Sequence, residues 1–203
     1  MSPAPEVFDV SNDQVTGIVL AGGKGRRMGG VDKGLQLLAE QPMAAHVIGR
    51  LAPQVEEIVI NANQNLEAYA KFGYRVVTDE VGGFAGPLAG LHAGLRVAQH
   101  ALVVTVPCDS PFLPMDLVTR LAAALGENDL AVAKTGTQPH PVFALVRRSL
   151  AGHLDAYLAG GGRKIDAWYA SLKVVEVPFD DQEAAFSNIN TREELRAQEG
   201  LAR

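Results

Sequence analysis

Thr16-Gly17-Ile18-Val19-Leu20-Ala21-Gly22-Gly23-Lys24-Gly25-Arg26-Arg27-Met28-Gly29-Gly30-Val31-Asp32-Lys33 is the stretch from which the fold is read. Thr16 to Ala21 is a short apolar run ending in glycines, the pattern of a buried strand. Glycines after such a strand let backbone N–H groups approach an anion and point at it. Lys24, Arg26, Arg27 and Lys33 bring positive charge to the same loop. Arg grips phosphate through paired hydrogen bonds, and Lys meets it as a point charge. Gly22 and Gly23 beside a nucleobase leave room for its flat ring. The alternative is a surface loop that happens to be rich in Gly and Lys. Two commoner phosphate loops do not fit. The P-loop requires Gly where Ile18 stands, and Lys33 follows Asp32 rather than Gly. A dinucleotide fingerprint on Gly23 and Gly25 meets Met28 where a third Gly is required.

Downstream, strands alternate with helices. Strands are expected over Glu57 to Asn61, Tyr74 to Thr78, Ala101 to Val106, Leu130 to Ala133, Val142 to Val146 and Lys173 to Val177. Helices are expected over Pro42 to Leu51, Leu66 to Phe72, Leu88 to Gln99, Met115 to Leu125 and Ser149 to Leu158, the last with Ser149 as N-cap. Thr191-Arg192-Glu193-Glu194 reads as a capping box opening a C-terminal helix. This alternation predicts an α/β fold of three layers, a mainly parallel sheet with helices on both faces. Such sheets bind ligands outside the carboxyl ends of their strands. Gly22, Asn61, Asp79 and Asp109 all fall at such ends. No repeat or linker divides the chain, so residues 16–203 are expected to form a single domain behind a flexible tail over residues 1–15.

Composition narrows the function. With 203 residues, 47% hydrophobic and 20% charged, the chain is long enough to bury a core and is not of disordered type. A net charge of −5 argues against a nucleic-acid partner, while a few local Lys and Arg still suffice to hold a phosphate. The single Cys108 can form no intramolecular disulfide and points to a reducing compartment, the cytoplasm. No apolar run approaches a membrane span, and residues 1–14 lack the pattern of a signal peptide, so no membrane association is expected.

Asp109 follows the most strand-like segment of the chain. A carboxylate there can hold Mg²⁺, a hard ion that keeps waters and substrate phosphates as its other ligands. The alternative is an Asx-turn before Pro111; the Gly-rich loop favours the metal. Asp79 either accepts hydrogen bonds from a base or ribose edge or is a turn residue, and Asn61 either contacts base or sugar or caps a turn. Gly86-Pro87-Leu88-Ala89-Gly90 leaves ligand contact and simple packing equally open. Asn188 and Asn190 share one face of an extended segment; one can reach metal or acceptor, or both serve as caps. Gly160-Gly161-Gly162-Arg163-Lys164 offers a mobile, basic acceptor site. His140 is assigned no role, and Cys108 reads as a packed side chain.

The segment Leu20 to Lys33 resembles the L-A-G-G-x-x-x-R-M-G-x-x-x-K signature of the MobA-type nucleotidyltransferases, which finish the molybdenum cofactor. The likeness runs from about Thr16 to Leu195 and is nearest to the molybdenum cofactor guanylyltransferase branch. It includes Asn61-Ala62-Asn63, Asp79, Gly86-Pro87-Leu88-Ala89-Gly90, Pro107-Cys108-Asp109-Ser110-Pro111, His140-Pro141 and Asn188-Ile189-Asn190-Thr191. The resemblance implies a Rossmann-like nucleotidyltransferase fold, GTP as donor and molybdopterin or the molybdenum cofactor as acceptor. The products would be the guanine dinucleotide cofactor and pyrophosphate. It implies that Leu20, Ala21, Gly22, Gly23, Lys33, Asn61, Asp79 and Asp109 bind GTP, and that Asp109 also binds Mg²⁺. Arg27, Lys33 and Asp109 would carry catalysis. Arg163, Lys164, Asn188 and Asn190 would meet the acceptor, the matching region being associated with molybdopterin in the family although its members vary there. Proteins that deliver molybdopterin and receive the finished cofactor are implied partners. Related readings are a nucleotidyltransferase using CTP or a sugar 1-phosphate, and, from another class, a nucleotide-binding regulator without catalysis.

Overall fold

The computed structural model describes residues 15–22, 32–80 and 86–187. Its sheet has seven strands: β1 (Val15–Leu20), β4 (Glu57–Asn61), β5 (Arg75–Val77), β6 (Leu102–Pro107), β7 (Leu130–Thr135), β8 (Gln138–Arg147) and β9 (Val174–Pro178), in the order β5-β4-β1-β6-β8-β7-β9. A two-stranded ribbon of β2 (Leu37–Leu38) and β3 (Gln41–Pro42) stands apart from it. The helices are α1 (Met43–Leu51), α2 (Leu66–Ala70), α3 (Pro87–Val97), α4 (Leu117–Leu125), α5 (Ala151–Ala159) and α6 (Ile165–Tyr169).

The period-2 alternation of each strand sorts its side chains between two cores. Val15 and Val19 of β1, with Val104 and Val106 of β6, pack on α1 and α4 through Val47, Leu51, Leu117 and Leu121. Ile18 and Val103 point the other way, toward Leu91 and Leu95 of α3, Leu154 of α5 and Trp168 of α6. The expected three-layer α/β architecture is therefore present.

Every pairing in the sheet is parallel except those of β8, which runs antiparallel to β6 and β7. The reason is local. Strands β7 and β8 extend well beyond the apolar cores expected from sequence and leave only Gly136-Thr137 between them, with Gly136 at φ +54°. So short a turn forces a hairpin. Pro139 and Pro141 read as breakers, yet both lie inside β8. They fall where β8 has outrun its pairing with β6, which ends at Thr105↔Ala144, so this stretch behaves as an edge that tolerates Pro.

Most expected helices lie within a few residues of their predicted ends. Ser149 does not cap: it sits inside a 3₁₀ turn, Arg148–Leu150, and α5 begins at Ala151 with no side-chain cap bond. The short α6 escaped sequence reading because its five residues are too few for a periodic signal. The expected C-terminal helix and the tail over residues 1–14 lie outside the described residues.

Candidate active site

The carboxyl ends of β1, β4, β5 and β6 meet at one rim. Beyond the sheet ladder, Ala21 N–H donates to Asn61 O at 2.7 Å, Ala62 N–H to Val77 O at 2.9 Å and Cys108 N–H to Leu20 O at 3.1 Å. These bonds fix Leu20, Ala21 and Gly22 against Asn61 and against the turn that carries Asp109.

Asp79, just past β5, is the hub of the first cluster. Asn61 Nδ2 donates to one of its carboxylate oxygens at 2.9 Å, and Asn63 Nδ2 donates to the other at 2.7 Å. The Asp79 backbone N–H returns a bond to Asn63 Oδ1 at 2.9 Å. Asn63 Nδ2 also lies 3.4 Å from Gly22 O, tying the end of β1 into the cluster. Asn61 is only 2% exposed, so its amide orientation is set by packing as well as by Asp79.

Two glycines make this packing possible. A Cβ on Gly22 would stand 2.8 Å from Asn63 Nδ2 and 3.0 Å from Asn61 Oδ1. A Cβ on Gly90 of α3 would collide with Asn61 Oδ1 and Leu20 Cδ2. Of the two readings of Gly86-Pro87-Leu88-Ala89-Gly90, Gly90 is accounted for by close packing of α3 beneath the rim.

The second cluster lies past β6. Lys33 Nζ forms an ion pair with Asp109 Oδ2 at 3.1 Å, with both side chains mostly shielded from solvent. Lys33 opens a 3₁₀ turn, Lys33–Leu35, that follows Asp32. The Asp32 carboxylate is itself held: Tyr69 Oη donates to Oδ1 at 2.6 Å and Asn65 Nδ2 to Oδ2 at 3.0 Å. Asn65 takes the left-handed conformation (φ +53°) that Asn tolerates better than most residues. A Cβ on the neighbouring Gly34 would stand 2.5 Å from Tyr69 Oη and 3.1 Å from Cys108 Sγ, so the turn lies flush against α2 and the end of β6. Burial first, and also the hydrogen bond that it donates to Asp32, push the Tyr69 phenol well above its usual range, so it stays a donor. Burial first, then the charges of Asp109 and Asp32, pushes the Cys108 thiol up too. Cys108 is thus an inert packed side chain, as its sequence context suggested.

Asp109 is suited to Mg²⁺. Among the described residues no group of three or more His, Cys, Asp or Glu could hold a metal by itself. A single shielded carboxylate fits a hard divalent ion that takes its remaining ligands from water and substrate.

Arg163 and Lys164 lie on the loop between α5 and α6. Arg163 Nη1 donates to Leu158 O at 2.9 Å and to Gly162 O at 2.6 Å, so the guanidinium braces its own loop. Lys164 precedes α6, and its carbonyl accepts from Tyr157 Oη at 2.9 Å. The helix that follows the loop is tied to β8, where Tyr169 Oη of α6 donates to Pro141 O at 2.8 Å. Gly23, Arg27, Asn188 and Asn190 lie outside the described residues. Sequence reading missed Asn63, Asp32 and Tyr69 as site-building residues. Asn63 and Asp32 stood inside quoted motifs, but only their partners in space reveal what they hold. Tyr69 gave no signal beyond its apolar helix.

Comparison with known proteins shows the family. Residues 17–174 match the family described as MobA-like NTP transferase domain. A molybdenum cofactor guanylyltransferase from Cupriavidus metallidurans is 54% identical over 201 residues, covering 96% of this chain and 98% of that protein. One from Burkholderia vietnamiensis is 55% identical over 194 residues, covering 90% and 94%. Among solved structures, molybdopterin-guanine dinucleotide biosynthesis protein A from Archaeoglobus fulgidus superposes with a TM-score of 0.75 at 26% identity, covering 92% of this chain and 98% of that one. A 4-diphosphocytidyl-2C-methyl-D-erythritol synthase from Anaerococcus prevotii shares the fold at 16% identity and a TM-score of 0.71, covering 95% and 97%.

Proposed function

The chain belongs to the MobA-like NTP transferase family and is a nucleotidyltransferase, and we propose that it transfers GMP from GTP to molybdopterin or its molybdenum-loaded form. The products are the guanine dinucleotide cofactor and pyrophosphate. The observation that carries this reading is the pairing of two clusters on one rim: Asp79 with Asn61 and Asn63, and Asp109 with Lys33.

Asp79 accepts one amide donor on each carboxylate oxygen. A carboxylate has about four lone-pair sites, so acceptor capacity remains for a ligand. The adjacent N–H donors of guanine match it. Leu20, Ala21, Gly22 and Gly23 lie along the base, and Asn61 serves mainly by aiming Asp79. Lys33 and Arg27 take the phosphates. Asp109 compensates the charge of Lys33; a triphosphate competes for the ammonium and draws it to the donor. Asp109 is the residue that would hold Mg²⁺. When bound, that ion screens the charge of the triphosphate.

The acceptor's terminal phosphate attacks the α-phosphorus of GTP, a new P–O bond forms, and the bond to the pyrophosphate breaks. The nucleophile is already anionic near neutral pH, so no general base is needed. The demand on the protein is to hold two polyanions together and stabilise charge on the leaving group. Arg163, Lys164, Asn188 and Asn190 are assigned to the acceptor side. We place the reaction in the cytoplasm, consistent with the buried free thiol of Cys108, and expect molybdopterin-delivering and cofactor-receiving proteins as partners.

The test is a side-by-side reaction with GTP and CTP on molybdopterin, with the product weighed by mass spectrometry. A guanine dinucleotide formed at least tenfold faster than the cytosine one is expected. Equal rates, or cytidylyl transfer alone, would overturn the choice of donor.

A further inference from the structure

A cavity opens at the same end of the sheet, on strands the two rim clusters do not use. It has a volume of about 400 Å³ and is lined by Thr135, Gln138, His140, Glu183, Phe186 and Ser187. That size is in the range of small-molecule sites. One wall is the β7–β8 hairpin; the other is the 3₁₀ segment Asp180–Phe186 after β9. The floor is aromatic. His140 stacks on Phe186 with centroids 4.7 Å apart and planes 18° from parallel, and Phe186 meets Phe143 and Phe179 edge-on at 4.9 and 5.2 Å. Thr135 Oγ1 lies 2.8 Å from His140 Nε2 and fixes the ring in its plane. Burial lowers the His140 pKa, keeping the imidazole neutral near pH 7. The hairpin is tied to the opposite wall where Gly136 N–H donates to Asp180 Oδ1 at 2.6 Å. A rigid aromatic base under a polar rim is built for a flat heterocycle rather than for a phosphate: no Lys or Arg lines it.

Position gives the cavity its meaning. Thr105, Ala144 and Val132 are aligned across β6, β8 and β7. Asp109 lies four residues beyond Thr105, and Thr135 three beyond Val132, so both stand at one rim. With neighbouring strands about 4.8 Å apart, the cavity is roughly 10 Å along the rim from the Asp109 turn. That is the reach of a molecule with a ring at one end and a reacting phosphate at the other.

We propose that this cavity seats the bicyclic heterocycle of the acceptor, with Glu183 accepting from adjacent ring N–H donors, while the acceptor's phosphate arm reaches toward Asp109. The assignment rests on the guanylyl-transfer reading for the identity of the ring. A pterin presents an exocyclic amine beside a ring N–H, a fork that a carboxylate accepts through both oxygens. Gln138 supplies a donor and an acceptor to the remaining ring edge. The His140–Phe186 stack sets the plane in which the ring lies.

The experiment uses the full chain in two arms. Glu183→Ala and Gln138→Ala change exposed side chains, and circular dichroism confirms their fold. In the kinetic arm, with molybdopterin and GTP, Glu183→Ala is expected to raise the KM for molybdopterin about tenfold, and Gln138→Ala less, with the KM for GTP unmoved. In the binding arm, 6-hydroxymethylpterin alone is titrated by fluorescence; quenching by the wild type that weakens about tenfold in Glu183→Ala supports the site. Unchanged KM for molybdopterin in both variants, or quenching that is identical in wild type and Glu183→Ala, would overturn it. Should the wild type release no pyrophosphate with molybdopterin, the guanylyl-transfer reading has failed, and the pterin titration alone decides for or against the cavity.

Discussion

The two halves of the sheet end differently. At the parallel half, β5-β4-β1-β6, the strand ends are bonded to one another through Asn61, Asn63, Asp79 and Gly22, and through Lys33 and Asp109. At the other half, β8-β7-β9, a long hairpin and a 3₁₀ segment, joined through Gly136 and Asp180, wall a cavity. The difference follows from connectivity. Parallel strands deliver their ends at one level, each followed by a turn, so short side chains meet directly. A hairpin carries its strands past the sheet and leaves walls rather than a closed rim. In the reading proposed above, the first arrangement receives the nucleotide and the second the ring of the acceptor.

The largest effects are expected in the parallel half. Asp109→Ala is expected to lower turnover by about 10²–10³-fold, about 3–4 kcal/mol of transition-state stabilisation, with circular dichroism unchanged. Mg²⁺-dependent turnover at the wild-type rate would remove Asp109 from the centre of the site. Gly90→Ala comes next. Its Cβ meets Asn61 and Leu20, so a loss of about 1–3 kcal/mol of stability is expected, read as a lower Tm, together with weaker GTP binding. A normal Tm would show that the rim is looser than its contacts imply.

Tyr69→Phe removes one hydrogen bond to Asp32 and leaves the ring in place. Loss of a bond to a charged acceptor is worth about 1.5 kcal/mol, so kcat/KM should fall about tenfold, through misplacement of Lys33. Unchanged kinetics would free Lys33 from any dependence on Asp32. The smallest effect is expected in the other half. Arg120 donates to Asp181 at 3.0 Å, pinning the segment that walls the cavity to α4. This hydrogen bonding holds the Asp181 carboxyl below its usual range. A depressed carboxyl stabilises the fold above its ordinary pKa and loses that contribution as pH falls through the lowered value. Arg120→Ala should therefore flatten the decline of Tm on the acid side, slightly, because Asp181 is exposed. An unaltered acid limb would show that the pair adds nothing.

Much of this was legible in the chain. Short apolar runs ending in Gly22, Asn61, Asp79 and Asp109 are a local signal, and the strands formed there. The antiparallel β8 was hidden by Pro139 and Pro141, whose tolerance depends on where the neighbouring strand β6 stops. The Asp32–Tyr69–Asn65 clamp joins residues 33 to 37 positions apart, and no periodicity reports such a contact. His140 stood in the family likeness without a role, and its stacking on Phe186 was not legible, because aromatic packing across 46 residues is a property of the fold.

The most direct test of the account is pyrophosphate release from GTP with Mg²⁺, measured with and without molybdopterin. Release that requires molybdopterin is the predicted result. Release at the same rate without it, or none with it while GTP still binds, would contradict guanylyl transfer to this acceptor.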